Sequence, residues 1–344
     1  MMKRKARIAW IWLALLSMAV LAACASDTTN ESKATPIPTE TAAAAATASP
    51  AGQESPSAAP EKKEHGANGF LWKVTGGKHD GYLVGTIHFA RPEMYPLHPN
   101  LEQALQEADF VALELDLTKV DQIKTLALVN ERAILPEGTT LLDRVDGRDY
   151  KKFQEILKKS LLAAGAPMLD RYEPWYAAMT LESLPAMKYM STDGIDQYIA
   201  KQAHKDGKTV LELESMEAQL DIFDEFSDEL QKLYFRQTVD NAATAQEGLE
   251  QLLDMWTAGD LEQLEAVHEQ FDAEGDKTMG DLNAEYSEAI LGKRNAEMAK
   301  KVDHYLRDGE EGTYMIAVGS LHMVGEEGLV SLLEKKGYQV EFVK

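Results

Sequence analysis

Val84-Gly85-Thr86-Ile87-His88 and Val318-Gly319-Ser320-Leu321-His322 are two copies of one form, V-G-[ST]-[IL]-H, near opposite ends of the chain. Each closes a run with strand character. The first run, Tyr82-Leu83-Val84, reads as the hairpin partner of Phe70-Leu71-Trp72-Lys73-Val74 across Gly76-Gly77; the second is Tyr314 to Val318. A glycine at a strand end permits a turn with φ > 0 or a close approach to a ligand. The histidine three residues later then projects from the carboxyl edge of a sheet, where open α/β sheets bind ligands.

Working outward, Leu101 to Ala108 reads as a helix with Asn100 as its N-cap. Phe110 to Leu115 is apolar apart from Glu114, the pattern of a strand buried on both faces. Strand, helix and strand form a βαβ-like unit. The centre reads as mainly helical: Asp149 to Ala164 stopped by Gly165, a helix opened by Pro174, Gly194 to His204, Met216 to Phe223, Glu229 to Ala242, Leu249 to Trp256 and Leu261 to Phe271. Leu249, Leu252, Leu253 and Trp256 share one face and read as core. Thr209 to Leu213 reads as a short buried strand. Asn295 to Leu306 and Glu326 to Lys336 read as helices, and Tyr338 to Val343 as the last strand. The expected class is α/β: a central mixed, partly parallel sheet from both ends of the domain, with a long helical insertion.

The chain has 344 residues and a formal net charge of −22. Lys3, Arg4, Lys5 and Arg7 precede the apolar run Ile8 to Leu21, which is short for a membrane span. Leu21-Ala22-Ala23-Cys24 then resembles a bacterial lipoprotein signal, which implies cleavage after residue 23 and acylation of Cys24. Residues 24–66 are rich in Ala, Thr, Ser, Pro and Glu and read as a disordered tether, leaving residues 67–344 as the domain. With Cys24 the only cysteine, that domain is held by its core or by a metal, without disulfides. The acidity argues against nucleic acid and against direct docking on anionic lipid. The expected place is outside the cytoplasm, with the membrane reached through the lipid.

Two imidazoles delivered to one sheet edge suit a shared metal or an acid/base task. Glu114 costs free energy inside an apolar strand unless it is paired or metal-bound; the alternative is an ion pair with an arginine such as Arg294. Glu214, after the Thr209 strand, is a further carboxylate at that edge or a cap for the next helix. His88, His322 and Glu114 are thus candidate metal ligands for Zn, Mn, Co or Fe. Glu114, Glu214 and Arg294 are candidates for chemistry on a bound water and the attacked carbonyl. Gly85 and Gly319 would admit the ligand. Asp116 reads as solvated or a cap, and Ser320 lacks a G-x-S-x-G setting. His65, His79, His98, His204, His268 and His304 read as surface residues. H-E-x-x-H, Walker A and G-x-G-x-x-G are all absent from the sequence.

Leu83 to His88, Tyr95-Pro96-Leu97, Val111 to Asp116, Gly194-Ile195-Asp196, Leu213-Glu214 with Gln219, Trp256 with Gly259-Asp260, Arg294-Asn295 with Met298, and Val318 to Gly325 together resemble the TraB/GumN family. That family is similar to the Tiki metalloproteases, which use Mn or Co, and includes PrgY-like suppressors of a peptide pheromone. A more distant likeness joins it to erythromycin-esterase-like and ChaN-like folds. The resemblance implies a metal site of two histidines and a glutamate at Gly85–His88, Glu114 and Gly319–His322. The leading expectation is a lipid-anchored, metal-dependent hydrolase of peptides or proteins. The alternatives are a lipoprotein that sequesters a peptide without cutting it, and a haem- or iron-binding lipoprotein.

Overall fold

The computed structural model describes residues 66–273 and 280–344. The signal-like segment, Cys24, nearly all of the tether and His65 lie outside these. Six strands form one sheet: β1 (Phe70–Thr75), β2 (Gly81–Thr86), β3 (Phe110–Leu113), β4 (Thr209–Glu212), β5 (Tyr314–Gly319) and β6 (Gln339–Phe342). Their order is β4-β3-β5-β2-β1-β6. β4, β3, β5 and β2 run parallel; β1 opposes both of its neighbours. The α/β class is therefore as read from the sequence: a mixed sheet from both ends of the domain, with helices between β3 and β5.

β3 and β5 are buried at every residue, as expected of strands covered on both faces. The register ends the parallel strands together: Thr86 lies opposite Gly319, Leu113 opposite Ala317 and also opposite Glu212. Residues just past those positions emerge at one edge.

The expectation of a buried Thr209 strand is corrected. β4 is the sheet's outer strand, with Thr209 and Glu212 exposed and Val210 and Leu211 half-buried. The helix expected to reach Ala164 spans Gly147–Leu157. Ser160 Oγ donates to the Leu157 carbonyl (2.9 Å) and accepts from Leu162 N (3.1 Å), replacing the helical ladder with turns. The cap of Pro99–Glu107 is His98, whose Nδ1 accepts from Asn100 N at 3.2 Å. Helices Gln122–Ala133 and Gly280–Ser287 were not anticipated. The last helix covers only Leu329–Lys335. Leu249, Leu252, Leu253 and Trp256 are buried, and their helix closes at Gly259 with φ +64°.

The surface reading of the histidines holds among the described residues for His304 alone. His79 is buried, with Nε2 facing the Gly309 carbonyl at 3.1 Å. His268 is buried against Gly325. His98 and His204 are half-buried. An imidazole with a polar partner need not face water. No helix among the described residues is long and apolar enough to cross a membrane.

Candidate functional site

The carboxyl edge of β2, β5 and β3 gathers His88, His322 and Glu114 from three neighbouring strands. Gly319 is the common point. A Cβ placed on it would lie 3.3 Å from Glu114 Oε1, 3.7 Å from His322 Cδ2 and 3.7 Å from His88 Nε2. Its N–H donates to Glu114 Oε1 at 2.6 Å. His322 Nε2 stands 3.9 Å from the same oxygen. Gly319 is not in the left-handed region, with φ −49°. Close approach, and not φ > 0, is what requires glycine there.

Gly85 is placed differently. A Cβ on it would meet Ser320 Oγ at 2.9 Å and Phe70 Cβ at 3.3 Å, and its carbonyl accepts from Trp256 Nε1 at 2.8 Å. None of the cluster's side chains is among its near neighbours, so it serves close packing between β2, β5 and Phe70. Ser320 Oγ donates to the Thr86 carbonyl at 2.8 Å and ties β5 to β2.

Both imidazoles are held by their other nitrogen. His88 Nδ1 is 2.8 Å from Asp196 Oδ1, and His322 Nδ1 is 2.6 Å from Asn295 Oδ1. Carboxylate and amide oxygens only accept, so each Nδ1 carries a proton, and in a neutral ring the lone pair is left on Nε2. Asp196 lies in the first turn of helix Ile195–Lys205. That turn is docked by Ile195 N to the Ile87 carbonyl at 2.9 Å, and a Cβ on Gly194 would sit 2.2 Å from the His88 carbonyl. Asn295 follows Arg294 at the start of helix Lys293–Asp308, just after a π-helical turn at Glu288–Gly292. π-turns of this kind recur at functional sites.

Arg294 clasps two carboxylates. Its Nε and Nη2 donate to Glu214 Oε1 and Oε2, each at 2.7 Å, and Nη2 also donates to Glu114 Oε2 at 2.8 Å. Nη1 takes the Ile290 carbonyl at 3.0 Å, so every guanidinium nitrogen has an acceptor. Glu214 further accepts from Gln219 Nε2 at 3.1 Å, and Ser215, not Glu214, caps the next helix. Asp116 is buried. It accepts from Thr118 N and Oγ1 within a turn, neither solvated nor capping a helix, and meets His204 Nε2 at 2.6 Å.

Burial by itself raises the pKa of Glu114. The charge of Arg294, the two imidazoles and the Gly319 N–H outweigh that and hold it well below the ordinary value. Burial and then Arg294 push His322 down to about 4, against the pull of Glu114 and Glu214. Burial lowers Arg294, but Glu214 and Glu114 more than reverse it. At neutral pH the cluster therefore presents an ionised Glu114 beside a neutral His322.

This donor set suits a divalent ion: imidazole Nε2 lone pairs and an ionised carboxylate oxygen. Thr86 Oγ1 and Asn295 Nδ2, in residues that flank the cluster in chain and register, are buried without a protein partner. The set is not drawn to coordination spacing. Among the described residues, no three His, Cys, Asp or Glu side chains form a metal cluster. Ligand atoms on a tetrahedral ion sit about 3.3 Å apart, and the 3.9 Å between His322 Nε2 and Glu114 Oε1 is wider. Asp196 and Asn295, which fix the rings, were given no role from sequence. Both lie in family-like stretches, Gly194-Ile195-Asp196 and Arg294-Asn295, but local sequence does not show that they accept from an imidazole.

A model of the TraB/PrgY/gumN family matches residues 70–342. The chain is 23% identical to a Metalloprotease TIKI homolog of Nematostella vectensis, over 85% of this chain and 70% of that protein. It is 24% identical to Metalloprotease TIKI2 of Xenopus tropicalis, over 81% of this chain and 61% of that one. It is 26% identical to Uncharacterized protein YbaP of Escherichia coli (strain K12), over 77% of this chain and 94% of YbaP. The chain thus spans less than two thirds of the TIKI2 relative. No solved structure matches.

Proposed function

The chain belongs to the TraB/PrgY/gumN family, and from that premise we propose that it is a metal-dependent hydrolase of peptide or protein bonds, anchored by lipid on Cys24. In this reading residues 1–23 are a signal peptide, 24–66 a tether, and 67–344 the domain, held on the extracytoplasmic side of the membrane. The observation that carries the activity is the meeting of His88 Nε2, the His322 ring and Glu114 Oε1 around Gly319. Relatives named metalloproteases support it.

His88 and His322 would hold the ion through Nε2, with Mn, Co, Zn or Fe all compatible with the donor set. Glu114 Oε1 would complete the ligand set or accept a proton from the attacking water. A bound ion would lower the pKa of that water and polarise the carbonyl. Asp196 and Asn295 keep the rings in the Nδ1–H tautomer. Arg294 keeps Glu114 ionised, and with all its nitrogens engaged it acts by positioning the carboxylates. Glu214, bound through both oxygens, supports Arg294.

Purified protein should take up about one divalent ion per chain and cleave a peptide library, with His88→Ala and His322→Ala losing both properties. Uptake and cleavage unchanged in either variant would overturn the proposal. The closure of Glu114 and Glu214 onto Arg294 favours one rival, a lipoprotein that binds peptide without cutting it. Mass spectrometry of peptide after incubation separates the two, since sequestered peptide stays intact.

A further inference from the structure

The turn-rich segment after helix Gly147–Leu157 runs Ser160-Leu161-Leu162-Ala163-Ala164-Gly165-Ala166-Pro167-Met168 without a charge. Its apolar side chains divide into two sets. Leu162 packs partly against the core, and Ala166 and Leu169 are buried, which pins the segment to the domain. Leu161 and Met168 face outward, 81% and 63% exposed. The core does not need them, and both pay a hydration cost in water.

Their neighbours have the opposite charge to the rest of the chain. Between residues 151 and 171, Lys151, Lys152, Lys158, Lys159 and Arg171 stand against only Glu155 and Asp170, in a chain of net charge −22. All five basic residues are exposed. Lys152 is paired with Asp240 at 2.6 Å. Lys158 and Lys159 directly precede the apolar tip and have no recorded carboxylate partner among the described residues.

We propose that this tip is a docking surface for an anionic phospholipid bilayer. Leu161 and Met168 would enter the headgroup–acyl boundary, and Lys158 and Lys159 would meet lipid phosphates beside them. Charge complementarity selects this occupant. Lys158 and Lys159 call for an anionic surface, and two protruding apolar side chains suit a soft interface. The general acidity does not oppose it, because charges more than about 8 Å from the contact are screened at physiological ionic strength. Net charge alone disfavours anionic lipid, but it averages this patch away. A lipid on Cys24 would bring the surface close to a bilayer, but the surface itself does not require one.

The test is hydrogen exchange of the full chain on vesicles of phosphatidylglycerol and, separately, of phosphatidylcholine. The expected result is several-fold slower exchange of amides 158–168 on phosphatidylglycerol and no change there on phosphatidylcholine. Lys158→Glu with Lys159→Glu should remove the protection, and Leu161→Ser with Met168→Ser should reduce it, with melting temperatures unchanged because all four side chains are exposed. Three results would overturn the proposal. One is unchanged exchange on phosphatidylglycerol, and another is equal protection on phosphatidylcholine. The third is protection that grows with protein concentration without vesicles, which marks a contact between copies of the chain. Loss of a lipid at Cys24 alters overall vesicle binding and leaves the segment-specific comparison intact.

Discussion

Two largely buried glutamates, one at the sheet edge and one in the helical insertion, meet opposite fates. Glu114 carries an Arg294 nitrogen on Oε2, and its carboxyl is held well below the ordinary range. Glu182, at the end of helix Pro174–Glu182, is bonded by Tyr234 OH at 2.6 Å and Thr238 Oγ1 at 2.9 Å. Among the described residues no cation pairs with Glu182. Burial therefore wins there and raises it to about 8, although both hydroxyls pull the other way. Burial is common to the two; the guanidinium decides. The sheet edge thus keeps a charge under desolvation, while the insertion keeps a neutral acid as part of its packing.

The sharpest way to break this comparison is Arg294→Met. It strands Glu114 and Glu214 in a buried setting and should cost about 3–5 kcal/mol in urea unfolding. A loss below about 1 kcal/mol would mean the clasp is not what sustains the charge.

Next in size is the pH response. Glu182 is protonated in the fold up to about 8, against 4.5 in its unperturbed state. Its penalty is therefore absent below 4.5, grows between those values and is complete above about 8. Glu182→Gln should recover on the order of 3 kcal/mol at pH 8.5 and almost nothing at pH 4.5. The sheet edge has the opposite sign. His322 is held neutral down to about 4, against 6.5 unperturbed. Its contribution is present above 6.5 and is lost as pH falls towards 4. Glu114, depressed below 4.5, loses its own contribution further into acid. Unfolding curves of Glu182→Gln and His322→Asn from pH 4 to 9 should therefore diverge from the parent at opposite ends. Parallel curves would dissolve the contrast.

Smaller again is Asp196→Ala, which frees His88 Nδ1. It should weaken divalent-ion uptake about 10–100-fold with little change in melting temperature. Thr238→Ala removes one hydroxyl from Glu182 and should cost about 1 kcal/mol in urea unfolding.

The repeated V-G-[ST]-[IL]-H was legible because strand ends leave a local signature: an apolar run, a glycine, then a polar residue. Glu114 was legible because a carboxylate inside an apolar strand demands a partner, and Arg294 was named as one possibility. Glu182 sits in Leu181-Glu182-Ser183-Leu184, a less apolar stretch that carries no local sign of burial. The hydroxyls that hold it come from a helix some fifty residues on. The Thr209 strand was misread as buried because an apolar run does not reveal whether its strand is central or at an edge. The histidines misread as exposed failed for a similar reason, since a polar ring can be buried wherever a distant carbonyl or carboxylate meets it.

Local sequence alone determined the strands of the sheet, most of the helices and the two histidine-bearing ends, because hydrophobic period and turn chemistry act over a few residues. Only the tertiary structure decided that β5 lies between β2 and β3, so that Gly319 at its end is met by His88, His322 and Glu114 together. Only it gave Asp196 and Asn295 their places behind the imidazoles and chose, for Arg294, the clasp on both Glu114 and Glu214. Those relations depend on strand order and on helices docking across the sheet edge, and desolvation there turns ordinary side chains into a charged cluster. Chain spacing does not encode such contacts.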